Sequence, residues 1–339
     1  MPVPPMRAAR KMAPSTAASK GRLARALGFV ASPAQSAGEG GLVVLLLATA
    51  VFFALRVIPG DAAALVLGDQ ASPEALATLR AELGLDRPLL LQYFQYLRGL
   101  ATLDLGSSLR RPGTSAFARV GEALAATASL AFLATGIALV VGVALGLLAS
   151  GPWLAPPART RLSRLLDGAA AVPLLAVAPA ITWLLAVRFP VVPLPGDPDA
   201  GFGGLLFAST LLAFPLSVHL ARTSRTALRT TTDALFVRVA RAKGASVFRA
   251  QFFHALPAVS APILTVVATQ LGALLGGAVV LEKLFERRGL GTLLLEAYAG
   301  RDLPVLEATV VTSGLLFVAV QTLASLLQGI LDPRAREVR

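Results

Sequence analysis

Apolar residues in this chain fall in long blocks that no charge interrupts. Residues 123–150, 169–187, 202–220, 258–281 and 308–331 contain no Asp, Glu, Lys or Arg. A helix needs about 20 apolar residues to cross the hydrocarbon core of a bilayer, so each block predicts a membrane span. A sixth, weaker block, 42–58, is broken only by Arg56 near its end, where a long side chain can reach towards the interface. The pattern predicts an all-α polytopic membrane protein with six transmembrane helices. Its parts are a disordered tail over 1–41, a first span over 42–58, a polar helical segment over 59–121, a five-helix core over 122–331 and a short tail over 332–339.

The polar stretches carry local signals. In 59–121, Ser72-Pro73-Glu74 reads as a helix start, with Ser as N-cap and Pro and an acid in the first turn. That helix is expected to end at Gly84, and a second over 88–100 to place Tyr93 and Tyr96 near an interface. Apolar periodicity is too sparse there for an independent core, so a small helical cap is expected. Residues 151–168 and 188–201 read as proline-rich turns on opposite sides of the membrane, and 21–30 as a short surface helix in the tail. No apolar stretch precedes the small residues at 33–37, which argues against a cleaved signal peptide. Gly142 with Gly146 and Gly272 with Gly276 each share a helix face, which allows close approach of a neighbouring backbone within the chain or at a subunit seam.

Charge then sets orientation. The net charge is +12, which in a soluble protein would point to nucleic acid. Here the arginines and lysines concentrate in 1–41, 151–168, 221–257 and 332–339, the segments that share one side when six spans are threaded. The positive-inside rule places that side, with the N-terminus, in the cytoplasm, and no nucleic-acid role is needed. The chain has no Cys, which removes disulfides, thiolate metal sites and Cys nucleophiles.

Residues 222–257 are the most distinctive segment, a basic loop between two apolar blocks. Asp233 is expected to cap a helix over 234–243. At 100° per residue Leu235, Val239 and Ala242 share one face, flanked by Phe236 and Ala240, with Arg238 and Arg241 opposite; Gly244 stands where a left-handed residue ends a helix. So short a helix must bury its apolar face against its own spans, another protein or the membrane surface. Ser246 is expected to cap a second helix over 247–256.

The string DALFVRVARAKGAS at 233–246, followed by HALP, resembles the cytoplasmic loop motif of ABC importer permeases, most closely those of the dipeptide, oligopeptide and nickel branch. IPGDAA at 58–63, SPEALATLRAELGLDRPLLLQYFQYL at 72–97, LDLGSSL at 103–109, RRGLGTLLLEAYAGRDLPVLEA at 287–308 and LDPRAR at 331–336 look like other parts of the same proteins. The third span and the turn after it look shorter than in that family, and Pro257 stands where relatives often carry a polar pair. The resemblance implies a permease subunit in a bacterial or archaeal inner membrane, moving peptides or a similar small solute, nickel included. It implies coupling to separate ATP-binding subunits through Asp233, Arg238, Ala240, Arg241, Ala242, Lys243 and Gly244. A second permease subunit, an extracytoplasmic solute-binding protein and membrane lipid are the other implied partners.

Other chemistry is sparse. None of the four lysines sits in a phosphate-binding G-x-x-x-x-G-K-[ST] string, so ATP is expected to be bound by partner subunits and the chain to carry no cofactor. His219 and His254 lie too far apart in sequence to read as a metal pair, and no metal site or enzymatic constellation is expected. Glu282, Glu286 and Asp302, beside Lys283, Arg287, Arg288 and Arg301, read as a solvated, internally paired face or a contact for a delivering protein. Thr127, Ser129, Thr182, Thr269, Gln270 and Gln321 are the polar residues within the apolar blocks, with no role assigned. The alternative class is an ion-coupled secondary carrier, which usually keeps an ionisable residue at membrane depth; the blocks contain no acid and no lysine.

Overall fold

The computed structural model describes residues 33–57, 62–67, 72–82 and 84–331, whose named elements are all helices, with no strand among them. The expected tail helix at 21–30, most of IPGDAA and nearly all of LDPRAR lie outside the described residues. Four helices are long and apolar enough to cross a bilayer: α1 (Pro33–Val57), α5 (Ala116–Ser150), α8 (Gly201–Thr232) and α14 (Leu303–Leu331). A fifth candidate is a pair bent by 60°, α10 (Val247–Ala258) and α11 (Ser260–Leu275). The expected third span is a short helix, α7 (Leu174–Thr182), continued by a π-helical turn, Trp183–Arg188. Pro179 inside α7 removes one backbone donor. At 1.5 Å per residue the 15 residues from Leu174 to Arg188 reach only about 22 Å, short of the bilayer core. By length alone this gives four spans, or five with the bent pair, although the segment holding α7 must also return the chain between α5 and α8, whose contacts make them parallel.

Lipid tails are as apolar as leucine, so spans associate by close packing more than by water exclusion. The α5–α8 pair is the most extensive contact of the bundle. A Cβ on Gly142 would stand 2.6 Å from the Cβ of Leu220 and 2.8 Å from the carbonyl of Ser217, and one on Gly146 2.6 Å from the Cβ of Ser224. The two helices run in the same direction, and the first Gly-x-x-x-Gly motif is spent on packing inside the chain. Gly272 likewise lies against the Phe317 ring of α14, whereas Gly276 meets mainly its own helix carbonyls. Antiparallel to α14, α1 places Gly40 on Val318 and Leu47 on Gly314. It begins at Pro33, so residues 33–41, expected to be disordered, instead extend the span; Pro is well placed in a first turn.

Three helices form the polar segment: α2 (Ala62–Leu67), α3 (Pro73–Glu82) and α4 (Leu89–Thr102). Ser72 Oγ accepts from Ala75 N at 3.2 Å, as the capping pattern requires. Gly84 ends the turn with φ +67°. The tyrosines of α4 face inward, not to an interface. Tyr96 is buried, its hydroxyl donating to the Ala48 carbonyl at 3.3 Å, and Tyr93 hydrogen-bonds Thr49 at 2.8 Å beside the Phe52 ring. The segment thus leans on the flank of α1.

At the opposite end, the expected proline-rich turn over 151–168 contains a helix, α6 (Pro156–Ala169), and α8 runs on through Thr232. Pro156 and Pro157 start α6 because the first helical positions need no backbone donor. The remaining elements are α9 (Leu235–Ala242), α12 (Val279–Leu284) and α13 (Leu290–Ala299).

Candidate functional site

The basic loop resolves into one short helix held between fixed ends. Thr231 and Thr232 donate to the carbonyls four residues back, at 2.9 and 2.7 Å, and α8 stays helical up to them. Asp233 then caps the C-terminus of α8 with helical backbone, φ −86° and ψ −2°. An N-cap needs extended backbone, which Ala234 supplies with φ −65° and ψ 146° and no side-chain hydrogen bond. The expected Asp233 cap is therefore not made, and α9 starts at Leu235.

The far end of α9 follows the expectation. Gly244 has φ +91°. Its N–H reaches the Arg241 carbonyl at 2.9 Å, and the Ala245 N–H reaches the Ala240 carbonyl at 3.1 Å. These two bonds form a Schellman motif, which satisfies the last carbonyls of the helix. Ser246 Oγ accepts from Arg249 N at 3.2 Å and starts α10, which passes through a π turn at Gln251–Ala255.

Of the apolar side chains on α9, only Val237 turns inward, at 1% exposure, while Leu235 is 76%, Val239 43% and Phe236 40% exposed. Arg238, Arg241, Ala242, Lys243 and Gly244 are exposed as well, Ala240 is half-buried, and Asp233 is exposed at the α8 end. Among the described residues Arg238, Arg241 and Lys243 form no ion pair. The helix therefore presents a mixed apolar and cationic surface that its own chain leaves uncovered.

Its platform is cross-linked by ion pairs and hydrogen bonds. Asp167 on α6 pairs with Arg225 at 3.0 Å and Arg222 at 3.1 Å, both on α8. The hydrogen bond from Arg225 holds the Asp167 carboxyl below its ordinary range. Arg225 also donates to the Ser163 carbonyl, and Arg229 to the Ala149 carbonyl at the end of α5. Three of the seven basic residues in the loop thus serve an internal clamp that sequence reasoning missed; only the lone acid in a basic surrounding hinted at it. On the other flank, buried Gln251 accepts from Trp153 Nε1 at 3.1 Å, and Phe248 stacks on Phe252 at 4.2 Å. α9 is thus joined to α8 through the chain, and α8 is tied to the end of α5 by the Arg229 hydrogen bond.

At the opposite end of the bundle the acids depart from the expected solvated face. Glu282 is 1% and Asp302 0% exposed; Glu286 alone of the three is open. Glu282 accepts from Thr127 Oγ1 at 2.7 Å and from Thr292 N at 2.8 Å, and Thr127 Oγ1 in turn accepts from Leu290 N at 2.7 Å. A carboxylate from α12 thereby caps the N-terminus of α13, where the helix dipole favours negative charge. Asp302 accepts from Ser108 Oγ and from Leu109 N, with Arg119 at 3.6 Å. Arg56 does not reach for an interface: it pairs with the buried Glu307 of α14 at 2.9 Å and lies over the Phe52 ring. An acid therefore does stand inside a long apolar helix, held by a cation. Among the described residues no cluster of His, Cys, Asp or Glu is placed to hold a metal.

Comparison with known proteins assigns the class. The family model described as binding-protein-dependent transport system inner membrane component matches residues 138–337, and the model of its N-terminal part matches 36–128. A putative peptide transport system permease protein of Brucella abortus is 37% identical over 309 residues, covering 87% of this chain and 95% of that protein. The dipeptide transport system permease protein DppB of Alkalihalophilus pseudofirmus is 30% identical, covering 87% and 96%, and the glutathione transport system permease protein GsiC of Salmonella typhi is 30% identical, covering 86% and 94%. A solved inward-facing MetNI methionine ABC transporter gives a TM-score of 0.46 at 16% identity, over 65% of this chain and 96% of that one, a likeness too slight to bear on function. The chain belongs to the inner-membrane components of binding-protein-dependent transport systems.

Proposed function

We propose that this chain is one permease subunit of an ATP-driven importer for short peptides, and that α9 is the surface on which an ATP-binding subunit docks. The observation that carries the reading is the exposed arc of Leu235, Phe236 and Val239 beside unpaired Arg238, Arg241 and Lys243, on a helix fixed at both ends. Such a helix gains nothing from exposure in water, but fits a groove with an apolar floor and an acidic rim. The charge distribution supports a cytoplasmic position for α9 and for the N-terminus, with α2, α3 and α4 outside. The relatives named as peptide, dipeptide and glutathione permeases support a peptide-like cargo over nickel. A second permease subunit, an external solute-binding protein that delivers the cargo, and the surrounding lipid complete the reading.

The test is a double substitution, Leu235→Glu with Phe236→Ser, in the transporter co-expressed with its neighbouring ATPase genes. Both positions are exposed, so membrane abundance is expected to hold, while ATPase co-purification and peptide uptake are expected to fall at least tenfold. Retention of both at wild-type levels defeats the docking assignment. Single cysteines at Ser246 and Ser107 are expected to label from opposite sides of the membrane; labelling from one side defeats the topology.

A further inference from the structure

A cavity of about 700 Å³ opens at the end of the bundle opposite α9, between the start of α5, the 194–201 turn and the 285–296 segment. Its size falls within the range of small-molecule sites. Its lining includes the small residues Ala123 and Ala126 and charges of both signs. Those charges are of two kinds. Arg119 is compensated internally, by Asp302 at 3.6 Å and Glu296 at 3.9 Å. Arg111, Arg287, Arg288 and Glu122 are not: among the described residues none of the four forms an ion pair, although Glu286 and Asp197 share the cavity wall. Arg287 touches Ser129 Oγ through one terminal nitrogen at 3.4 Å, while its Nε is buried without any partner. A buried donor left unmade is costly, and each such group calls for an explanation.

Arg287 and Glu122 are also held apart, although other charges of both signs line the wall. Glu122 and Ser129, the residue that Arg287 touches, lie seven positions apart on α5. They therefore share one face of the helix, and two turns separate them by about 10 Å. Between them on α5 lie Ala123 and Ala126. An extended chain covers about 3.3–3.6 Å per residue, so a peptide of two or three residues spans about 7–11 Å from end to end. We infer that this cavity receives a short zwitterionic peptide, with its C-terminal carboxylate at Arg287 and Arg288 and its ammonium at Glu122. The guanidinium fork suits a carboxylate, and Ala123 and Ala126 leave room for the peptide backbone without reading its side chains. The inference rests on the peptide-import reading and narrows it: the permease itself would check for two free termini after the binding protein lets go.

The test uses the full transporter complex in nanodiscs, without binding protein or nucleotide, and three probes: trialanine, trialanine amide and N-acetyl-trialanine. Saturation-transfer NMR reads binding of each. Trialanine is expected to bind, and both blocked forms to bind at least about tenfold more weakly, since charge-assisted hydrogen bonds are lost. Arg287→Gln with Arg288→Gln is expected to weaken trialanine to the level of its amide and to leave the amide unchanged. Glu122→Gln is expected to do the same relative to the acetylated probe, and Arg288→Lys to retain more binding than Arg288→Gln. Arg288 and Glu122 are exposed, so normal membrane abundance and ATPase association are expected for the variants. Equal binding of the three probes by the wild type, no binding of trialanine, or variants that bind like the wild type would each overturn the inference. ATP-driven uptake by the wild-type complex with its binding protein checks the import reading separately: uptake that persists while the cavity variants change nothing sinks only the cavity.

Discussion

Gly244→Val tests the proposed coupling role of α9 at the turn that ends it. No atom lies within 4 Å of the point where a Cβ would stand, so the substitution creates no clash. Its cost is in the backbone alone. Holding a residue with a Cβ at positive φ costs about 1–2 kcal/mol, and a β-branched residue at φ +91° belongs at the upper end. About 2 kcal/mol is roughly a thirtyfold change in the population of the closed Schellman turn. The two hydrogen bonds to the Arg241 and Ala240 carbonyls are then released, and Lys243 and the start of α10 lose their fixed place. The change lies in an exposed turn beyond α8, so the spans are expected to form normally. Immunoblots of the membrane fraction should show wild-type abundance, while ATPase co-purification and peptide uptake fall about tenfold or more. The control is Gly84→Val, at φ +67° with Arg87 3.6 Å away, which imposes comparable strain at the other end of the bundle and should leave ATPase association intact. A Gly244→Val transporter that retains its ATPases and full uptake would refute the reasoning.

Gly142→Val is expected to abolish stable expression, because its side chain must displace Leu220 Cβ and the Ser217 carbonyl rather than a flexible tip; normal yield in detergent would contradict the packing described. Arg56→Ala leaves Glu307 buried without its cation, an effect of about 3 kcal/mol that thermal unfolding of the purified protein should show as a clear fall in Tm, and that Glu307→Gln in the same chain should partly relieve. Asp167 has a lowered pKa in the folded state, so its clamp contributes above the ordinary carboxylate pKa of about 4 and is lost as pH falls through the folded value. Melting curves of wild type and Asp167→Asn should therefore differ at neutral pH and converge as pH falls below the ordinary carboxylate range; curves that stay parallel throughout argue against the clamp.

Much of the architecture is written in the chain because its causes are local. Uncharged blocks must be helical in lipid, Ser72-Pro73-Glu74 starts a helix through its own hydroxyl, and Gly244 ends one because only glycine adopts its φ cheaply. The Lys and Arg asymmetry gives an expected side of the membrane in the same way. Partnership between distant residues is different. Asp233 looks like a cap in sequence, yet Thr231 and Thr232 keep α8 helical and deny it the extended backbone that a cap requires. Glu282 and Asp302 look solvated beside their basic neighbours, yet Thr127 and Ser108, from well over a hundred residues away, meet them in the interior. Arg56 looks like an interfacial anchor until α1 and α14 pack antiparallel and bring Glu307 beneath it. Even on α9 the sequence by itself defined an amphipathic helix without saying which way it turned. Only the packing of Val237 against the bundle decided that Leu235, Phe236 and Val239 face outward, because a helix rotates about its axis to suit whatever surface is offered, and that surface is assembled from the whole chain.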